Sequence, residues 1–204
     1  MSLAGIVLAA GPSSRMGFPK ALLDFRGAPF VVRVLEALEA LDIKVRVVVL
    51  GLDAARIRPA LANRDCVVVE NPDIDAGPIG SLRAALAALR IVQPTAVLVW
   101  PVDRPHVRIA TIERLIETQA RTGAEAVVPV FGGRRGHPVI WAGSSLEKLV
   151  AGPGATRTGV PPPMLEVYLG DAAEVPVDDP AIVDDVDTRE DYERLLRGIS
   201  REEY

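Results

Sequence analysis

Gly5-Ile6-Val7-Leu8-Ala9-Ala10-Gly11-Pro12-Ser13-Ser14-Arg15-Met16-Gly17-Phe18-Pro19-Lys20 decides how the rest of the chain reads. An apolar, partly β-branched run stops at small residues and gives way to a Gly/Ser-rich turn that carries one Arg and one Lys. That order predicts a buried strand feeding a loop whose backbone N–H groups and cations hold an anion. Two common phosphate loops are excluded by spacing. The dinucleotide fingerprint needs G-x-G-x-x-G at the turn, and the P-loop needs four residues between its glycines followed at once by Lys-Ser/Thr. Here five residues separate Gly11 from Gly17, and Phe18 and Pro19 stand before Lys20.

The run from Leu8 to Lys20 resembles the signature L-A-A-G-x-x-x-R-M-G-x-P-K of the MobA/MocA-like nucleotidyltransferases, the molybdenum-cofactor cytidylyl- and guanylyltransferases, at every specified position. The resemblance implies a single-domain three-layer α/β/α fold with a Rossmann-like, mostly parallel sheet of the nucleotide-diphospho-sugar transferase type. It implies that an NMP moves from an NTP to a phosphorylated acceptor with Mg²⁺ as cofactor. Residues 1–105 would form the NTP-binding half, and residues 106–204 the acceptor side with a second metal carboxylate. Leu8, Ala9, Ala10, Gly11 and Ser14 would contact the nucleotide. Small side chains there let the backbone approach the triphosphate. Arg15 can chelate two phosphate oxygens and Lys20 acts as a point charge.

The 204 residues, with 49% hydrophobic and 25% charged content, suit one globular domain with a full core. A net charge of −4 argues against a nucleic-acid surface, which needs a basic stripe. The single cysteine, Cys66, excludes an intramolecular disulfide and a thiolate metal cluster. No apolar run reaches the roughly 20 residues that span a bilayer. The N-terminal residues show no basic n-region or cleavage site, so the expectation is a cytoplasmic protein with no membrane partner.

Continuous apolar runs at residues 5–10, 45–50, 66–69, 96–100 and 126–130 alternate with helical patterns, which indicates a parallel sheet covered on both faces. Val31, Val34, Leu35, Leu38 and Leu41 share one helical stripe, as do Leu82, Ala85, Leu86 and Leu89, and Ile109, Ile112 and Ile116. Beyond residue 130 the pattern predicts a short helix at 144–150, a long Pro/Gly loop at 151–163 acting as a lid or acceptor-side loop, and late strands at 164–169 and 173–177. Thr188-Arg189-Glu190-Asp191 is a capping signal that opens a final helix.

Ligands of open α/β sheets sit beyond the carboxyl ends of the strands, and that rule gathers the remaining candidates. Val99-Trp100-Pro101-Val102-Asp103-Arg104-Pro105 sets an acid at a strand end, and the resemblance makes Asp103 a metal ligand; an Asp before Pro105 also suits a plain turn. Asp185-Val186-Asp187-Thr188 resembles the family's D-I-D-T element, with Asp187 favoured over Asp185 as the second ligand, although acids also complement a helix N-terminus. Asn71, Gly77 and Ser81 are carried over as base contacts, in a segment that also reads as ordinary turns. Arg135-Gly136-His137 matches an acceptor-side R-G-x-P-V element; His137 either orients an acceptor phosphate or is a turn residue. His106 and Trp141 read as structural.

Ala9-Ala10-Gly11 resembles cytidylyl members and Gly77-Pro78 guanylyl members, so CTP is favoured and GTP stays open. A molybdopterin-type cofactor is the leading acceptor, with a molybdoenzyme or its chaperone as the implied protein partner. Gly152-Pro153-Gly154 lacks the acid of the family's G-D-x-G element, and Arg104 stands where those members carry Gln. Transfer to a sugar phosphate or phospho-alcohol is therefore the alternative, and a non-catalytic NTP-binding, cofactor-handling protein the non-enzyme alternative.

Overall fold

In the computed structural model, which describes residues 1–13, 15–151 and 172–202, the first apolar run is strand β1, Leu3–Ala9. Its two-residue alternation sends Val7 and Ala9 into one core and Ala4 and Ile6 into the other, so both faces of the strand are buried. β4 (Val45–Leu50), β5 (Val67–Glu70) and β6 (Ala96–Pro101) join it in parallel, with β1 in the middle of β4 and β6. A small hairpin, β2 (Asp24–Phe25) with β3 (Ala28–Pro29), lies outside the main sheet.

Helices cover the two faces. α1 (Phe30–Ala40), α2 (Ala54–Leu61), α4 (Ile109–Thr122) and α6 (Arg189–Glu202) bury Leu35, Ile57, Ile112 and Leu195 in one core. α3 (Gly77–Leu89) and α5 (Gly143–Ala151) bury Leu82, Leu89 and Leu146 in the other. The expected stripes are these buried faces, with Leu41, Leu86 and Ile116 partly buried at their margins and Ile109 at the start of α4 exposed. The expected three-layer α/β/α arrangement is what forms.

The second half departs from the simple alternation. β7 (Ala126–Phe131) turns through Gly132-Gly133 into β8 (Arg134–Arg135), and the chain returns as β9 (Val139–Ala142). A strand that follows so short a connection must run antiparallel, and β9 inserts between β6 and β7, pairing antiparallel with both. β10 (Ala173–Pro176) adds parallel to β7, giving the order β10-β7-β9-β6-β1-β4-β5 with β8 on β7. The expected loop at 152–163 and strand at 164–169 lie outside the described residues.

The final helix starts as the capping signal requires. The Thr188 hydroxyl accepts from Asp191 N–H at 3.2 Å, and the Asp191 carboxylate accepts from Thr188 N–H at 2.7 Å. Among the described residues, no helix is long and apolar enough to cross a membrane.

Candidate active site

The carboxyl ends of β1, β4 and β6 open into a cleft of about 410 Å³, lined by Leu8, Ala9, Ala10 and Gly11 on one side and by Lys20, Leu52, Asp53, Arg56 and Asp103 around the rest. The loop that follows β1 is folded on itself. Ser13 C=O accepts from Met16 N–H at 3.1 Å and from Gly17 N–H at 3.0 Å, and Ser13 Oγ accepts from Lys20 N–H at 2.9 Å. Lys20 then opens a single 3₁₀ turn, Lys20–Leu22, which holds its backbone in place. Ser14 lies outside the described residues.

Two acids from distant parts of the chain meet this loop. Asp103 follows β6, and Asp187 precedes α6. Val186 N–H donates to Asp103 C=O at 3.1 Å and lays the two segments side by side. Lys20 Nζ is bonded to Asp187 Oδ1 and stands 3.8 Å from Asp103 Oδ2, while Arg15 Nη2 bonds Asp187 Oδ2. On the far side of Asp103, Arg104 Nη1 donates to Asp103 Oδ1 at 3.0 Å, and its Nη2 is 3.9 Å from Asp185 Oδ1. Asp187 is therefore the acid that reaches Lys20, and Asp185 faces Arg104.

The two carboxyls respond differently to this setting. Burial pushes the Asp103 carboxyl above its ordinary range; Arg104 and Lys20 pull against the rise, and the charges of Asp185 and Asp187 add to it. Burial also works against ionisation of Asp187, but the bonds and charges of Lys20 and Arg15 outweigh it and hold that carboxyl low.

The base-side segment is already knit together. Asn71, buried after β5, donates from Nδ2 to Ser81 Oγ at 3.1 Å and accepts at Oδ1 from Asp73 N–H at 2.9 Å. Gly77 begins α3.

On the acceptor side, Arg135 Nε bonds Glu174 at 2.8 Å, and Gly136 presses against the 3₁₀ turn Pro180–Val183. A Cβ on Gly136 would come within 2.3 Å of Ile182 O, so only glycine fits there. Burial, with the Arg104 charge second, lowers the His137 pKa to about 3, and its Nδ1 is buried without a hydrogen-bond partner. Trp141 is core.

Sequence reasoning passed over the β4 end. Gly51 must be small because a Cβ would sit 2.4 Å from Ala10 O, and it lets β4 deliver Asp53 and Arg56 to the cleft. Arg56 bonds Asp53 at 3.2 Å and lies 5.2 Å over the Phe18 ring. The strand-end rule, applied to residues 45–50 as it was to 5–10 and 96–100, points to them.

Among the described residues, no group of three or more His, Cys, Asp or Glu is arranged to hold a metal. Two carboxylates converging on one cation are nonetheless the donor set Mg²⁺ takes from proteins, with phosphates and water completing the shell. Asp103 and Asp187 fit that role.

The family described as the MobA-like NTP transferase domain matches residues 5–160. A bifunctional protein GlmU from Carboxydothermus hydrogenoformans is 33% identical over 126 residues, covering 61% of this chain and 27% of that protein. A probable molybdenum cofactor guanylyltransferase from Bacillus cytotoxicus is 30% identical over 135 residues, covering 66% of this chain and 65% of that protein. The chain thus spans less than two thirds of either relative's length. Rv0371c from Mycobacterium tuberculosis H37Rv superposes with a TM-score of 0.79 at 31% identity, over 97% of this chain and 99% of that one. Its structure in complex with manganese gives a TM-score of 0.73 at 28% identity, over 97% and 99%.

Proposed function

The chain belongs to the family of MobA-like NTP transferase domains, and from that premise we propose that it moves an NMP from an NTP to a phosphorylated small-molecule acceptor. The observation that carries this reading is the convergence of Arg15 and Lys20, from the loop after β1, with Asp103 and Asp187 at one edge of the cleft.

An oxygen of the acceptor phosphate attacks the α-phosphorus, the bond to the β-bridging oxygen breaks, and pyrophosphate leaves with that electron pair. Negative charge gathers on the oxygens around the α-phosphorus as this happens. Lys20 and Arg15 supply positive charge where it gathers, and backbone N–H groups of the loop orient the triphosphate. Mg²⁺, held by Asp103 and Asp187, would neutralise the same charge when bound; that a structurally similar protein is known in complex with manganese supports use of a divalent ion.

Residues 1–105 serve the NTP and residues 106–204 serve the acceptor and return the second carboxylate. CTP is the favoured donor on Ala9-Ala10-Gly11, with GTP the alternative on Gly77-Pro78. Base reading falls to the 71–81 segment, with Asn71, Gly77 and Ser81 as the candidate contacts, and the bond from Asn71 Nδ2 to Ser81 Oγ holds that segment in shape. A molybdopterin-type cofactor is the leading acceptor. The absent acid at Gly152-Pro153-Gly154 favours a sugar phosphate or phospho-alcohol as the second reading. A cytoplasmic site of action fits the single half-buried Cys66.

Thermal unfolding with each of the four NTPs and Mg²⁺ tests the donor. At 100 times its dissociation constant, the preferred NTP should raise the melting point by about 5–10 °C, with CTP giving the largest shift. Pyrophosphate release is then measured against molybdopterin, sugar phosphates and phospho-alcohols. NTP binding without release for any acceptor would leave the chain a nucleotide-handling protein.

A further inference from the structure

Asp103 and Asp187 are joined by a cation that belongs to the chain itself. Lys20 Nζ bonds Asp187 and stands 3.8 Å from Asp103, and only 15% of the Lys20 side chain is exposed. A dication using both carboxylates must stand between them, where the ammonium already is. The two cations cannot share that space.

We propose that Lys20 is the resident counter-cation of the metal position, and that it passes to the triphosphate when metal and nucleotide enter together. The proposal rests on the transferase reading of the cleft. Four features make the exchange feasible. The Lys20 backbone is anchored by Ser13 Oγ and by its own 3₁₀ turn, so the side chain alone has to swing. Lys20 already lines the cleft beside Ala9, Ala10 and Gly11, so the path is short. Asp187 keeps Arg15 and Asp103 keeps Arg104, so neither acid is stripped of its other cation. The Val186–Asp103 backbone bond keeps the two acid-bearing segments side by side after the ammonium leaves.

The consequence is a coupling between ligands. Metal alone must expel a largely buried ammonium that then has no anion to meet, which is unfavourable. With a triphosphate present, the same ammonium gains phosphate oxygens. Free metal therefore binds weakly, nucleotide strengthens it, and by linkage metal strengthens nucleotide by the same factor.

The test is a Mn²⁺ titration of the full chain without nucleotide, read by the electron paramagnetic resonance signal of free Mn²⁺. Lys20→Met should bind Mn²⁺ about 10-fold more tightly than wild type, and Lys20→Arg, which keeps a cation in place, should stay weak. Equal or weaker binding by a folded Lys20→Met overturns the proposal. A second measurement uses wild type alone. Saturating Mn²⁺ should raise acetylation of Lys20 by acetic anhydride several-fold, and an unreactive CTP analogue should protect it again; Lys20 reactivity unchanged by bound Mn²⁺ also overturns the proposal. Pyrophosphate release by wild type together with unaltered Mn²⁺ affinity in Lys20→Met would sink this inference and leave the transferase reading standing. A gain of affinity in a chain that releases no pyrophosphate with any acceptor would do the reverse.

Discussion

Two clusters at the same edge of the sheet use their polar groups in opposite ways. After β5, the buried Asn71 side chain bonds both the buried Ser81 hydroxyl and the Asp73 backbone N–H. After β1 and β6, Arg15, Lys20, Asp103 and Asp187 balance each other's charge around an open cleft, with Arg15 67% exposed. The first cluster holds a loop in shape. In the second, charges balanced by movable side chains can be re-partnered when a ligand arrives. Removing a group should accordingly cost stability in one place and turnover in the other.

The widest separation should come from Asp103→Ala. It should stay folded by circular dichroism and lose about 100-fold or more in turnover, the scale of losing one major charge-stabilising group. Near-normal pyrophosphate release would remove the metal role from Asp103.

Asn71→Ala breaks the other cluster. It leaves Ser81 and the Asp73 N–H without their partner, so urea unfolding should show a loss of about 1–3 kcal/mol. A shifted ratio of CTP to GTP turnover would give the Asn71 side chain a role in reading the base.

Asp191 sharpens the comparison, because it is an acid near the site whose oxygens are already engaged. Bonds from Thr188, first its side chain and then its backbone, outweigh slight burial and hold the Asp191 pKa at about 2. A depressed carboxyl stabilises the fold above its unfolded pKa, near 3.9, and that contribution is lost as pH falls toward 2. Asp191→Ala should cost about 1 kcal/mol at pH 6 by urea unfolding. The gap from wild type should close between roughly pH 4 and pH 2.

His137 gives the smallest effect at neutral pH and one of opposite sign. Burial keeps it neutral down to about 3, whereas the unfolded chain takes up a proton near 6.5. The fold loses stability as pH drops below that value, since protonation favours the unfolded state. His137→Gln should match wild type closely at pH 7.5 and become the more stable of the two in acid, as read by melting temperature across pH.

Much of the fold was legible because both signals it rests on are local. β1 declares itself by an apolar run, and the Thr188–Asp191 cap by its spacing, which the bonds at 3.2 and 2.7 Å reproduce. β9 could not be placed between β6 and β7 from its own four residues, because strand order depends on partners far away in the chain. At the site, the loop after β1 and Asp103 were visible at strand ends. Asp53 and Arg56 were overlooked because no motif marks the β4 end.

The sequence alone determined the class of chemistry: a strand, a small-residue loop with Arg15 and Lys20, and acids at two later points, one after a strand and one before the final helix. Tertiary structure decided the partnerships. Asp187, rather than Asp185, bonds Lys20, Arg104 stands behind Asp103, and Asn71 is engaged with Ser81. Residue type and spacing set what a group can do, whereas its partner is set by which distant segments the sheet brings together.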